Sequence, residues 1–159
     1  TWQTMYKRVI ADIQSEKPFF NVTSSEYLVD YVITGYQYSL ADITGDGIPE
    51  LFIGVSTDMS TVYKVYSVNG NKLIELEGEL FLDLRSRLVL SNEGNELLQV
   101  NGNAYSADEY IKKVTMGDNS IYTEELKVIQ YDTQEGEDFD NTVHNLTGTA
   151  LTDLTQLEE

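Results

Sequence analysis

The chain has no cysteine. Disulfides, thiolate nucleophiles and cysteine-ligated zinc are excluded. Histidine is almost as scarce, with His144 alone in 159 residues. Histidine-ligated zinc in its usual forms needs more than one imidazole. A Ser-His-Asp triad would have to use His144, and no G-x-S-x-G stretch leads into a helix to supply its nucleophile. His144 is expected in a strand or loop without a catalytic role. Basic residues number only 10 against 27 acidic ones, for a formal net charge of −17. That excludes non-specific nucleic-acid binding, which needs clustered Lys and Arg on phosphates. It also disfavours adhesion to anionic membrane surfaces. No apolar run approaches the length of a membrane-spanning helix. No glycine-rich loop is placed to cradle a phosphate. No signal peptide is present, and an opening at Thr1 without Met leads us to expect that a secretory or lipoprotein leader was removed.

What is present is enough for one core. Hydrophobic residues make up 41% of the chain, and the length fits a single domain over residues 1–159. Composition and periodicity divide it into a helical N-terminal part (1–35), a β-meander (36–131) and an acidic loop with a C-terminal tail (132–159).

Trp2, Met5, Tyr6, Val9, Ile10 and Ile13 recur at helical spacing, predicting a helix over about 2–16 that Pro18 stops. Thr23-Ser-Ser-Glu26 has the form of a capping box and predicts a short second helix over about 24–32. From Tyr36 the period changes to two. Strands are predicted from Tyr36 to Ala41, from Glu50 to Val55 and from Thr61 to Val68. Asn69-Gly70 then forms a primed hairpin turn into Lys72–Leu76. Leu80–Leu84 reads equally as a strand or a helical turn. Arg87–Leu90 and Glu96–Val100 form a further hairpin. Residues 104–116 carry a capping box at Ser106-Ala-Asp-Glu109, but meander continuity assigns them to a strand, followed by a turn at 116–119 and a strand over 121–131. The acidic stretch 134–140 reads as a solvated loop, because blocks of like charge are usually flexible. Residues 149–159 read as a short tail helix or a frayed end. Helices precede strands, so the predicted class is α+β, with the two helices packed on an antiparallel meandering sheet.

The most informative stretch is Asp42-Ile-Thr-Gly-Asp-Gly-Ile-Pro-Glu50. Side-chain oxygens stand at loop positions one, three, five and nine: Asp42, Thr44, Asp46 and Glu50. Gly47 suits the positive φ of a tight bend, and the Ile48 carbonyl can turn inward as a fifth oxygen. An all-oxygen set with three carboxylates is a hard-cation site of Ca²⁺ type. An EF-hand is rejected, because its twelfth position needs a bidentate Glu and here holds Ile53. A plain Asp-Gly hairpin accounts for Asp46-Gly47 but not for Asp42 and Glu50 at their spacing.

The stretch from Tyr38 to Gly54 resembles the short calcium loop of FG-GAP and VCBS-type repeats, in which D-x-T/N-G-D-G-x-x-D/E-L is common. The resemblance covers roughly residues 36–56. The loop occurs once and the FG…GAP signature is missing, so no β-propeller is implied. What the resemblance does imply is a secreted or lipid-anchored protein of Gram-positive gut bacteria. Bound Ca²⁺ would be held by Asp42, Thr44, Asp46, Ile48 and Glu50.

Together these readings point to an extracellular or cell-surface, calcium-stabilised binding or adhesion module. Its expected partner is an extracellular protein or glycan, and its expected state is monomeric. The alternatives are a small secreted carboxylate-based hydrolase and an accessory domain of one. A pair of carboxylates can always be chosen from 27 acidic residues, so composition alone cannot support glycosidase chemistry. Eleven tyrosines suit half-buried strand surfaces. Tyr63, Tyr66, Tyr105, Tyr110 and Tyr122 are the first candidates for ligand contact.

Overall fold

The computed structural model describes residues 1–15, 32–94 and 96–159. The helix expected over 24–32 falls, except for its last residue, outside the described residues. The class is α+β.

Helix α1 (Trp2–Gln14) begins at Thr1, whose hydroxyl accepts the Thr4 N–H. Its apolar stripe buries Tyr6, Val9, Ile10 and Ile13. Eleven strands follow among the described residues. They are β1 (Gly35–Ala41), β2 (Glu50–Ser56), β3 (Ser60–Asn69), β4 (Lys72–Glu75), β5 (Leu80–Asp83), β6 (Ser86–Ser91), β7 (Leu97–Asn101), β8 (Asp108–Gly117), β9 (Ser120–Gln130), β10 (Val143–Asn145) and β11 (Thr149–Ala150). Helix α2 (Gln134–Asp140) lies between β9 and β10, and a 3₁₀ turn spans Thr155–Leu157.

The strands form two antiparallel sheets rather than one continuous meander. The first runs β11-β1-β2-β3-β4, with β5 also pairing β3. The second runs β10-β6-β7-β8-β9. They meet through a parallel bridge at Glu77 and Ser120, where the Glu77 N–H donates to the Asn119 carbonyl and the Ile121 N–H to that of Glu77.

Both faces of the first sheet are covered. Tyr38, Leu51, Ile53, Val55 and Tyr66 pack against α1 and the tail residue Leu157. Phe52, Tyr63 and Val65 pack against Leu88, Leu97, Val114 and Ile121 of the second sheet. The far face of the second sheet buries Val89, Leu98, Val100, Ile111 and Ile129 with Phe139 of α2. The layers therefore run α1, first sheet, second sheet, α2.

The turns follow their residue chemistry. Gly70 has φ +62 in the two-residue loop between Asn69 and Lys72. Asp118 and Asn119 take φ +52 and +60 between β8 and β9, the pair of left-handed residues that a type I′ turn requires. Ser106 does not start a helix. Its hydroxyl accepts the Asp108 N–H two residues on, a local turn that delivers the chain into β8, which pairs along its length with β9.

One further expectation is corrected. Residues 134–140 form a helix instead of a solvated loop. Thr133 caps it by accepting the Gly136 N–H, and Glu135 and Glu137 lie in the first turn, where acidic side chains favour the helix dipole. Phe139 anchors it on the second sheet. A Cβ on Gly136 would stand 2.4 Å from the Gln130 carbonyl oxygen, so the helix sits against the end of β9 too closely for any side chain there. Of the two readings of the tail, the short helix is present as the 3₁₀ turn Thr155–Leu157, and the end is not frayed. β11 pairs β1, the Tyr38 hydroxyl donates to the Asp153 carbonyl at 2.5 Å, and Glu159 accepts from the Thr1 and Thr4 hydroxyls at the start of α1.

Leu157 is fully buried. Replacing it with Ala is expected to cost about 2–5 kcal/mol, the usual range for a core Leu truncation. Urea denaturation of Leu157→Ala checks this, and a change under about 0.5 kcal/mol, typical of a surface site, would mean the tail is not docked.

Candidate metal-binding loop

β1 and β2 pair from Gly35↔Ser56 to Ala41↔Glu50, so residues 42–49 form the loop that closes this hairpin. The bends fall on Gly45 (φ +78) and Gly47 (φ +87), conformations that glycine adopts without a Cβ penalty. No atom lies within 4 Å of where a Cβ would stand at either position, so it is the dihedral, not space, that selects glycine. The loop is tied down at both ends. The half-buried Ile48 packs on the α1 cluster, and the Tyr6 hydroxyl of α1 donates to the Pro49 carbonyl at 2.7 Å.

Asp42 organises the turn. One of its oxygens accepts the Gly45 N–H at 2.8 Å and the Thr44 hydroxyl at 3.3 Å, and the other accepts the Gly47 N–H at 2.8 Å. Partial burial pushes the Asp42 carboxyl up, but the Gly47 and Gly45 amides outweigh it and hold it below the ordinary value. Asp46 accepts the Ile48 N–H at 2.9 Å and is exposed.

Glu50 is the unusual member. It is the first residue of β2 and only 1% exposed. Its oxygens accept the Ile43 N–H at 2.8 Å and the Ser67 hydroxyl at 3.3 Å. Burial pushes it up, and the charges of Asp42 and Asp46 add to that, against the lowering effect of the two hydrogen bonds. The result is a carboxyl raised to about 7. Burial likewise pushes up the Tyr6 phenol, and the charges of Glu50 and Asp46 reinforce it.

The loop thus brings Asp42, Asp46 and Glu50 close enough to feel one another. It stops short of a closed cage: among the described residues, no three His, Cys, Asp or Glu side chains are arranged to hold a metal ion. Carboxylates a few ångströms apart repel even in water, and here each turns to a donor instead. Thr44 points its hydroxyl at Asp42.

Sequence reading missed two contributors. Ser67 lies 17 residues beyond Glu50 and carries no local signal. Tyr6 reads only as part of a helical core stripe. His144 lies in β10 with its Nδ1 2.8 Å from the Asn92 side-chain oxygen. Of the five tyrosines singled out, Tyr63 and Tyr66 are core residues, Tyr110 is half-buried, and Tyr105 and Tyr122 are exposed.

The raised carboxyl of Glu50 has a definite sign. Between the ordinary value of 4.5 and about 7 the folded protein holds a proton that the unfolded chain has released. Stability from this group is full below the lower value and is lost as pH rises through the upper one. At one pKa unit per 1.36 kcal/mol, the loss is at most about 3 kcal/mol. Urea melts in EDTA at pH 5 and pH 8 should show this loss in the parent. Glu50→Gln, which cannot ionise, should flatten it, and an unchanged slope in that variant would assign the pH dependence elsewhere.

Comparison with known proteins finds no matching family model, no matching curated protein and no matching solved structure.

Proposed function

We propose that the chain is an extracellular binding or adhesion module whose β1–β2 hairpin is locked by Ca²⁺. The ligands would be the side chains of Asp42, Thr44, Asp46 and Glu50 and the Ile48 carbonyl. The observation that carries this reading is Glu50: a carboxyl 1% exposed, at the base of a loop whose two other carboxylates push it further toward the protonated form. A buried charge is tolerated only when it is paired, neutralised or metal-bound. A divalent cation beside Glu50 would satisfy all three carboxylates at once, and oxygen-only ligands suit calcium. The D-x-T-G-D-G spacing and the left-handed glycines are the backbone such a site uses.

The binding role rests on exposed aromatic surface. Tyr105 is 97% and Tyr131 59% exposed. The Tyr131 N–H donates to the Ala107 carbonyl, which sets both rings at the same end of the β8–β9 hairpin. Large rigid rings with a hydroxyl suit protein and glycan surfaces. The hydrolase alternative gains nothing from Glu50, which is buried where no substrate reaches it.

Thermal unfolding tests the calcium reading. An ion that binds only the folded state adds about 2.7 kcal/mol at a hundredfold excess over its Kd. For a chain of this size that raises Tm by roughly 5–11 °C. EDTA should abolish the rise, Mg²⁺ should give less of it, and Asp46→Asn should remove most of it. An unchanged midpoint with and without calcium would overturn the reading.

A further inference from the structure

We propose that the free edge of β9 is a docking site for an extended, basic segment of a partner protein, which adds to the second sheet as a further strand. The inference rests on the reading of the chain as a binding module and supplies its partner. It uses no residue of the loop 42–50.

An edge strand presents a row of unpaired N–H and C=O groups, and an edge that is not used is kept short or covered. β11, β4, β5 and β10 are short edges, of 2, 4, 4 and 3 residues. β9 has 11 and ends its sheet, with β8 as its partner strand. Its outer side is already used once. The Ile121 N–H donates to the Glu77 carbonyl at 2.8 Å, and the Glu77 N–H to that of Asn119 at 2.8 Å. This bridge is isolated, and the chain leaves it at Gly78, whose φ is +90. Backbone groups of alternate residues in a strand point the same way. Those of Thr123 and Glu125 therefore face the same side as Ile121, and among the described residues no backbone group meets them.

The side chains leave this row open. Residues 124–128 are all exposed, Leu126 at 49% and Val128 at 43%. The Tyr122 ring lies back over β8, where a Cβ on Gly117 would meet its hydroxyl at 3.2 Å. The Lys127 ammonium stands 5.7 Å from the centre of the Phe139 ring, drawn to the face that α2 covers.

The charge of the edge selects the partner. With Lys127 drawn aside, Glu124 and Glu125 are the charged side chains left at the middle of the strand, one on each face by alternation. Lys113 and Lys112 stand opposite them in the register, but among the described residues neither acid closes an ion pair. A strand laid on the other flank of β9 sets its own side chains beside both acids, where opposite charge favours pairing and like charge opposes it. A second copy would bring a formal charge of −17 against −17, so a basic segment is the occupant that the electrostatics favour. Leu126 has no residue opposite it on β8, the mark of a β-bulge. A bulge and charged side chains at an edge discourage indiscriminate pairing, which leaves this edge open to a strand of matching charge.

Two-dimensional ¹⁵N NMR titration of the intact chain tests the proposal, with the terminally blocked hexapeptide TVKKVT as probe. It should shift the amides of residues 121–128. TVEEVT should bind at least fivefold more weakly. TVKKVT N-methylated at its central amides should bind at least tenfold more weakly, because methylation removes backbone donors and keeps the charge. Thr123→Pro, which takes an outward N–H from an edge position, should abolish the shifts. Glu124→Lys with Glu125→Lys, both at exposed positions, should weaken the response at least fivefold even if the proline variant fails to fold. Absence of shifts at millimolar peptide, an equal response to TVEEVT or to the methylated peptide, or an unchanged response in the double lysine variant would overturn the proposal. Concentration-dependent shifts of the same amides in the chain alone would give the edge to a second copy and overturn it too. The calcium reading fails by a different measurement, the melt with EDTA, so the two failures are distinguishable.

Discussion

Strand β2 has nowhere to move. Six of its seven residues are buried, its two edges pair with β1 and β3, and its two faces meet α1 and the second sheet. Full burial of each large apolar side chain contributes about 1.5–3 kcal/mol, so Leu51, Phe52, Ile53 and Val55 together outweigh any single polar contact in the chain. A slip of one residue would exchange the two faces. It would also move Gly54, where a Cβ would stand 2.8 Å from the Tyr63 ring. The register is therefore fixed, and Glu50, the strand's first residue, is carried into the interior. The fold puts a carboxyl where its own chemistry would not put it.

The loop electrostatics follow from that placement. Glu50 is desolvated, and the charges of Asp42 and Asp46 on the same turn act on it. One donor from Ile43 and one from Ser67 are too little to hold it ionised at its ordinary value. Only two agents relieve such a site: a proton on Glu50, or a cation shared by the three acids. They exclude each other, because a metal needs deprotonated ligands. The raised carboxyl and the proposed ion are thus two expressions of one conflict. An ion-locked hairpin of this kind is strongest above neutrality, where the proton no longer competes.

Much of this was legible in the chain, for identifiable reasons. The stripe from Trp2 to Ile13 is a strong helical period, and the alternation after Tyr36 and the turn residues at 69–70 and 116–119 mark hairpins that the structure contains. The faces of β2 were legible as well, since Leu51, Ile53 and Val55 do share one. What escaped was that Phe52 faces a second sheet, because a strand buried on both sides shows no alternation. Helix α2 escaped because its evidence is thin: a Thr133 cap without an acidic residue three positions on, and one apolar anchor, Phe139, among acids. Conversely, Ser106-Ala-Asp-Glu109 looks like a helix start and is not one. Pairing with β9 along the whole of β8 outweighs a capping signal that a single turn also satisfies. The glycine bends of the 42–50 loop were legible as spacing, but the burial of Glu50 was not, since it arises from long-range packing.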